Sequence, residues 1–132
     1  QGSYDGIIYN RGSGSNIAGL SANGQGGNLS YTWANSSSTY NANTGLSIPN
    51  STYCMIGMAV DSSKADIYVN LSKFTNSVSH SNISIDDLKI GRDEYSSRYF
   101  KGNIAFVLMY NRYITELEVK QNYNALKARF GL

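Results

Sequence analysis

The chain has 132 residues, a formal net charge of +2, 41% hydrophobic residues and 15% charged residues. That length bounds one domain with its own core. The basic residues are scattered, which excludes a nucleic-acid footprint, and no apolar run approaches the ~20 residues of a membrane span.

Short strands separated by turn clusters dominate the first two thirds. Residues 6–10 read as a strand, closed by the turn Arg11-Gly12-Ser13-Gly14-Ser15. Residues 17–22 read as a second strand, followed by a Gly- and Asn-rich loop. Leu29, Tyr31 and Trp33 alternate with Ser30 and Thr32, the pattern of a half-buried strand. Residues 34–45 are a polar loop, and Pro49 argues against a central strand just after it. Residues 53–60 form the most apolar run. The tight turn Asp61-Ser62-Ser63-Lys64 predicts a hairpin between that run and residues 65–71. Weaker strands are predicted over 74–79, 82–85 and from 88 onward.

The last third changes character. Residues 100–111 form a long strand-like run, with Ile104, Phe106, Leu108 and Tyr110 on one face and Ala105, Val107 and Met109 on the other. Both faces are apolar, so this strand should be covered on both sides. Thr115 then opens a helix, with Glu118 completing a capping box. Leu117, Val119, Tyr123, Leu126 and Phe130 are expected to form its apolar stripe, and Gly131 suits its C-terminal cap. The whole predicts an all-β fold, a two-sheet antiparallel sandwich of jelly-roll type with one C-terminal α-helix.

Chemistry-bearing constellations are sparse. Glycoside hydrolysis needs two carboxylates roughly 5 to 9.5 Å apart. The adjacent pairs Asp86-Asp87 and Asp93-Glu94 would point to opposite faces of a strand and read as turn residues. His80, the only histidine, is expected to be a solvated loop residue. Cys54, the only thiol, reads as a small buried hydrophobe. Together they give no zinc site or Cys/His dyad. No Ser sits in a G-x-S-x-G elbow, and Gly12-Ser13-Gly14 lacks the Lys and helix of a phosphate loop. The chain therefore reads as non-enzymatic.

Sugar binding uses aromatic faces beside planar amides and carboxylates. Tyr40, Asn41 and Asn43 in the long polar loop could supply these, as could Asp93, Tyr95, Arg98 and Tyr99 before the last predicted strand. The plainer role for these tyrosines is to cover loop edges or a neighbouring subunit.

The segment YFKGNIAFVLMYNRYITELEVKQNY (residues 99–123) resembles the C-terminal signature of laminin-G-type domains of the concanavalin A-like lectin/glucanase superfamily. Its elements are Phe100, Gly102, the alternating run ending in Tyr110-Asn111-Arg112, Thr115 and Glu118. NLSYTWAN, TGLSIP, TYCMIGMAV and ADIYVN follow in the family's order, with Tyr53 where a Trp often opens the central strand. DGIIYNRGSG and NYNALKARFG are similar to versions found in phage and viral tail fibres, head fibres and decoration proteins.

The resemblance implies a jelly roll over 1–132 and a virion structural or surface domain able to bind host glycans. The alternative is a secreted or cell-surface carbohydrate-binding module of a larger protein. The implied partners are copies of itself or other virion proteins, with a glycan as ligand and neither nucleic acid nor membrane insertion. The implied location is a virion surface or the extracellular space. No cofactor is implied apart from calcium, which such domains often hold at the sandwich rim. Asp61, Asp66, Asp86, Asp87 and Asp93 could supply oxygen ligands. Family domains are usually longer, with an N-terminal strand pairing near the C-terminus. That strand is expected to be missing from 1–132 or to come from elsewhere, leaving an edge that needs cover.

Overall fold

The computed structural model describes residues 4–34, 36–93 and 98–132. Two antiparallel sheets, one α-helix and a short 3-10 turn at Gln25–Gly27 make up the described fold. The first sheet has five strands: β1 (Asp5–Arg11), β2 (Ile17–Ala22), β3 (Ser30–Trp33), β4 (Ala42–Asn43) and, entering later in the chain, β8 (Leu88–Ile90). Their spatial order is β4-β3-β2-β1-β8. The second sheet has the order β5-β6-β7, from β5 (Ile56–Val60), β6 (Ala65–Val69) and β7 (Ser72–Asn76). The helix α1 spans Glu116–Phe130.

The period of two sorts the side chains. In β2 and β3, Leu20 lies opposite Tyr31, and both point inward. They join Leu29, Ala65, Ile67 and Val69 in the buried cluster between the sheets. The 61–64 turn forms as expected. Asp61 Oδ1 accepts from the backbone of Ser63 at 2.7 Å and of Lys64 at 3.0 Å, and β5 pairs with β6 along its whole length.

The opposite face of β6 carries Asp66, whose side chain is 1% exposed. Burying a carboxylate is costly unless donors surround it. Three do: Lys64 Nζ at 2.9 Å, Thr75 Oγ1 at 2.5 Å and Tyr113 Oη at 2.5 Å. The Tyr113 contact fixes the chain just ahead of α1 onto the second sheet. Lys73 and Glu116 pair beside it. The helix then begins on the expected capping box and ends on Gly131 in the left-handed region at φ 68°.

Four sequence expectations meet a different structure. Residues 100–111 form no strand. Ile104, Phe106, Leu108, Met109 and Tyr110 are exposed. A strand exists only through a ladder of backbone bonds; the Phe100 N–H donates to the Gly91 carbonyl at 2.9 Å, but among the described residues no ladder continues over 101–111. β5 pairs with β6 on one side and, among the described residues, with no strand on the other. Between the two lies an apolar gap of about 1060 Å³, lined by Ile8, Leu20, Met58 and Phe106 among others.

The helix stripe also differs. Val119 is buried and Tyr123, Leu126 and Phe130 are half-buried, but Leu117 is 65% exposed. Residues two apart lie on nearly opposite sides of a helix, so Leu117 cannot share the face of Val119.

Residues 82–85 are a strap instead of a strand. The Ser84 N–H goes to Asn16 Oδ1 at 3.1 Å and the Ser84 carbonyl to Asn10 Nδ2 at 3.0 Å, so side chains take the place of a ladder.

His80, on the same strap, is buried at 6% exposure. Its Nε2 lies 3.4 Å from the Tyr31 hydroxyl, and its ring meets the edge of Trp33. The strap is held down by Trp33 Nε1 donating to the Ser81 carbonyl at 2.7 Å. Cys54 is half-buried beside the gap, and burial pushes its thiol up.

Replacing Tyr113 by Phe should lower unfolding stability by about 1.5–3 kcal/mol, the range for a hydrogen bond to a charged group, read from urea denaturation. Desolvation depresses the His80 pKa below 6.5, so the folded state binds fewer protons than the unfolded chain around that pH. Stability is then full above the unfolded value and falls as pH drops through it. Because His80 is the only histidine, Tm should fall between pH 7 and pH 5, and His80→Phe should flatten that slope in calorimetry.

Candidate functional site

The outer face of the five-stranded sheet, turned away from the second sheet, is built from small and polar residues. Tyr9 of β1 faces Gly19 of β2, and Gly19 faces Thr32 of β3. The Tyr9 ring lies across Gly19, where a Cβ would stand 2.4 Å from Tyr9 Cδ2. Only glycine allows that passage. The Tyr9 hydroxyl thereby reaches Thr32 Oγ1 and donates to it at 2.8 Å. Thr32 Oγ1 also accepts from the Asn41 backbone at 3.0 Å. A buried bridge thus runs from β1 over β2 and β3 into the 34–45 loop.

Two residues beyond Tyr9 on the same strand, Arg11 places its guanidinium 4.9 Å from the Tyr9 ring centroid. It grips Asp93 with both arms, Nε to Oδ1 at 2.6 Å and Nη2 to Oδ2 at 2.9 Å. Arg98 adds Nη1 to Oδ2 at 3.1 Å. The Arg11 guanidinium also donates a hydrogen bond to the Tyr40 side chain, and its bond to the Asp93 carboxylate raises its pKa above the ordinary arginine value. The loop carrying Asp93 and Arg98 reaches this place because Gly6 lets the backbone pass. A Cβ on Gly6 would stand 2.3 Å from the Asp93 nitrogen, and the Gly6 N–H donates to the Arg98 carbonyl at 3.2 Å.

Four of the sequence-predicted site residues therefore converge: Tyr40, Asn41, Asp93 and Arg98 meet around Arg11 and Tyr9. Their roles are unequal. Tyr40 is exposed and Asn41 and Arg98 are half-buried, so these three face solvent at the rim. Asp93 is 2% exposed, and its oxygens are taken up by arginines, which makes it a positioning residue. Asn43 serves the neighbouring turn, with Oδ1 accepting from the Gly45 backbone at 2.9 Å. Tyr99 is exposed beside the Arg92 guanidinium, 5.6 Å away. Tyr95 lies outside the described residues.

Sequence reasoning missed Tyr9, Arg11, Gly19 and Thr32. The available signal was the spacing in GIIYNR, where an aromatic and a cation two residues apart share one face of a strand.

Four of the five carboxylates weighed for calcium are engaged by the protein. Asp61 caps its turn, Asp66 has three donors, Asp87 accepts from Lys89 at 2.5 Å, and Asp93 holds the arginines. The Asp86 backbone N–H donates to Asn10 Oδ1 at 3.1 Å. Among the described residues no group of three or more His, Cys, Asp or Glu could hold a metal ion.

A two-sheet sandwich that presents a polar face bordered by two loops is the architecture of lectin-like jelly rolls. A laminin-G-type family profile, described as Concanavalin A-like lectin/glucanases superfamily, matches residues 1–120, and the chain belongs to that superfamily. Among solved structures it is similar to an S-layer domain-containing protein from Clostridium thermocellum ATCC 27405, crystallised as residues 221–444. The two share 15% identity at a TM-score of 0.51, covering 87% of this chain and 59% of that one. The chain thus spans less than two thirds of the structure it matches. No curated protein sequence matches it.

Arg11→Met leaves the buried Asp93 carboxylate short of its main partner and should cost about 3 kcal/mol, as breaking a buried pair does. Arg11→Lys should recover only part of that, because an ammonium cannot grip both oxygens. Guanidinium denaturation of the three proteins checks both.

Proposed function

We propose that this chain is a non-enzymatic recognition domain displayed on a virion or other extracellular surface, binding glycan at the rim of the five-stranded sheet's polar face. The observation that carries this reading is the convergence of Tyr40, Asn41 and Arg98 around the Arg11–Asp93 pair. An exposed tyrosine ring offers an apolar face to sugar C–H groups. A planar amide and a guanidinium beside it offer directed hydrogen bonds to hydroxyls. The floor beneath is rigid, since the Tyr9–Thr32–Asn41 bridge is buried and fully hydrogen-bonded. A preorganised floor reduces the entropy that binding must overcome.

The non-catalytic part of the reading rests on the same residues. A glycosidase needs one carboxyl group free to give a proton and a second free to attack or to activate water. Asp93, the carboxylate at the centre of this site, is occupied by two arginines. The alternative, a carbohydrate-binding module of a larger secreted or cell-surface protein, uses this same site and differs in what the domain is attached to. As a virion component it would assemble with copies of itself or with other virion proteins.

On a glycan array the protein should bind a restricted set of sugars. Tyr40→Ala and Arg98→Ala should each weaken binding to the best of them by roughly tenfold, about 1.4 kcal/mol, with Tyr40→Ala leaving Tm unchanged. A blank array, or binding indifferent to both changes, sinks the glycan assignment. Light scattering at several concentrations tests self-assembly, and a monomer throughout counts against the homo-oligomeric arrangement.

A further inference from the structure

His80 lies outside the polar rim, yet its contacts lead there. The strap from β7 to β8 seats its ring against Tyr31 and Trp33 of β3. The His80 backbone N–H donates to the Ser62 carbonyl at 3.1 Å. Among the described residues, few titratable or charged groups act on the ring. Tyr31 of β3 places its hydroxyl 3.4 Å from Nε2, and Asp61 of the 61–64 turn acts through space. The strap itself offers the Val78 backbone.

Two routes join this ring to the loop that carries Tyr40 and Asn41. The first is a hydrogen-bond relay. Asn76 Nδ2 donates to the Tyr31 hydroxyl at 2.5 Å and reaches the Ser38 carbonyl at 3.4 Å. The second runs through Trp33. Its ring meets His80, and its Nε1 holds the strap at the Ser81 carbonyl. Its own carbonyl accepts from Thr39 Oγ1 at 2.5 Å and from the Ser36 N–H at 3.3 Å. Thr39 is buried and immediately precedes Tyr40. Both routes therefore end at residues 36–39, directly before the rim residues.

The seat suits a neutral ring. A neutral imidazole has one N–H and one lone pair, whereas the imidazolium has an N–H on both nitrogens. Nε2 faces a hydroxyl oxygen that already accepts from Asn76. That hydroxyl can donate to a bare Nε2. Once Nε2 is protonated, it must accept twice and turn its own proton elsewhere. Nδ1 is buried with no hydrogen-bond partner among the described residues. Burial already weighs against the charged ring more than the Val78 backbone and Asp61 favour it. An imidazolium gains by moving toward water, and the strap moves with it.

We infer that His80 is an acid-sensitive latch on the rim: its protonation lifts the strap from Tyr31 and Trp33, loosens residues 36–41 and weakens glycan binding at Tyr40 and Asn41. The latch rests on the reading of that rim as a glycan site. The charge change falls on one imidazole, and the element it biases is the strap, seated or lifted. Binding is tight above the His80 midpoint and weakens below it, because the bound arrangement excludes the protonated ring. Linkage is reciprocal, so a bound glycan lowers the pH at which His80 titrates.

NMR of the protein without ligand tests the latch first. Between pH 7 and pH 5 the amides of Ser38, Tyr40 and Asn41 should shift with the midpoint of the His80 imidazole, while those of α1 stay in place. His80→Gln keeps a hydrogen-bonding side chain, removes the titration and should abolish the shift. Loop amides that ignore the imidazole overturn the inference. So does movement of the α1 amides with the same midpoint, which marks a general loosening in acid. Calorimetry with the best glycan of the array then reads the affinity, which should be at least roughly fivefold weaker at pH 5 than at pH 7, the low end for coupled sites. In His80→Gln that difference should vanish. Equal affinity of the unaltered protein at both pH values overturns the latch and leaves the glycan site standing. A blank array removes the glycan site and with it the binding half of the inference, whereas the amide titration decides the conformational half alone.

Discussion

The fold turns on coverage of one apolar surface. Five hydrogen-bonded strands cannot leave their inward side chains in water, because each large aliphatic group left exposed forfeits about 1.5–3 kcal/mol. Three strands meet this demand over β2 and β3, and there the core is dry: Leu29, Ala65 and Ile67 have no exposure at all. Toward β8, residues 104–110 and the helix line an apolar gap together with Ile8 and Leu88. Leu88 and Ile90 remain exposed in consequence. The helix is placed by what precedes it more than by its own stripe. The buried Asp66 carboxylate holds Tyr113, and the capping box starts the first turn one residue after Ile114. At the far end Phe130 rests against Phe106 and Tyr53 at ring distances of 5.2 and 5.8 Å.

The opposite face of the same sheet follows a different logic. Loops and not a second sheet cover it among the described residues, and its floor is made of small residues and hydroxyls that bond one another. Tyr9 spans two strands because Gly19 is absent as a side chain, and the two long loops are tied to that floor by Asn41 and by Asp93. Superfamily membership fixes the architecture and leaves ligand and chemistry to these particular residues.

Much of this was legible beforehand, and the parts that were not share a cause. The hairpin around Asp61, the helix caps and the alternation of Leu29, Tyr31 and Trp33 depend on local chemistry, which a sequence displays directly. Residues 100–111 carry the correct period for a strand but join no sheet among the described residues, and pairing is a long-range property. His80 looked solvated because its neighbours are serines and asparagines. Its burial comes from Tyr31, 49 residues away. The same distance hid the site's floor: Tyr40, Asn41, Asp93 and Arg98 were visible as loop residues, whereas Arg11 and Tyr9 join them only through strand register. Tyr95 falls outside the described residues.

The division between floor and rim at the polar face has a consequence for how such a domain diversifies. Tyr9, Gly19, Thr32 and the Arg11–Asp93 pair are mutually dependent, so a change in one leaves another clashing or unpaired. Arg98 is tied to Asp93, whereas the exposed Tyr40 ring and the solvent-facing part of Asn41 carry no comparable obligation to the core. Substitutions there can be sampled one at a time with little effect on folding. The fold separates the residues that must stay together from those that are free to drift, and that separation lets one scaffold acquire new partners without relearning how to fold.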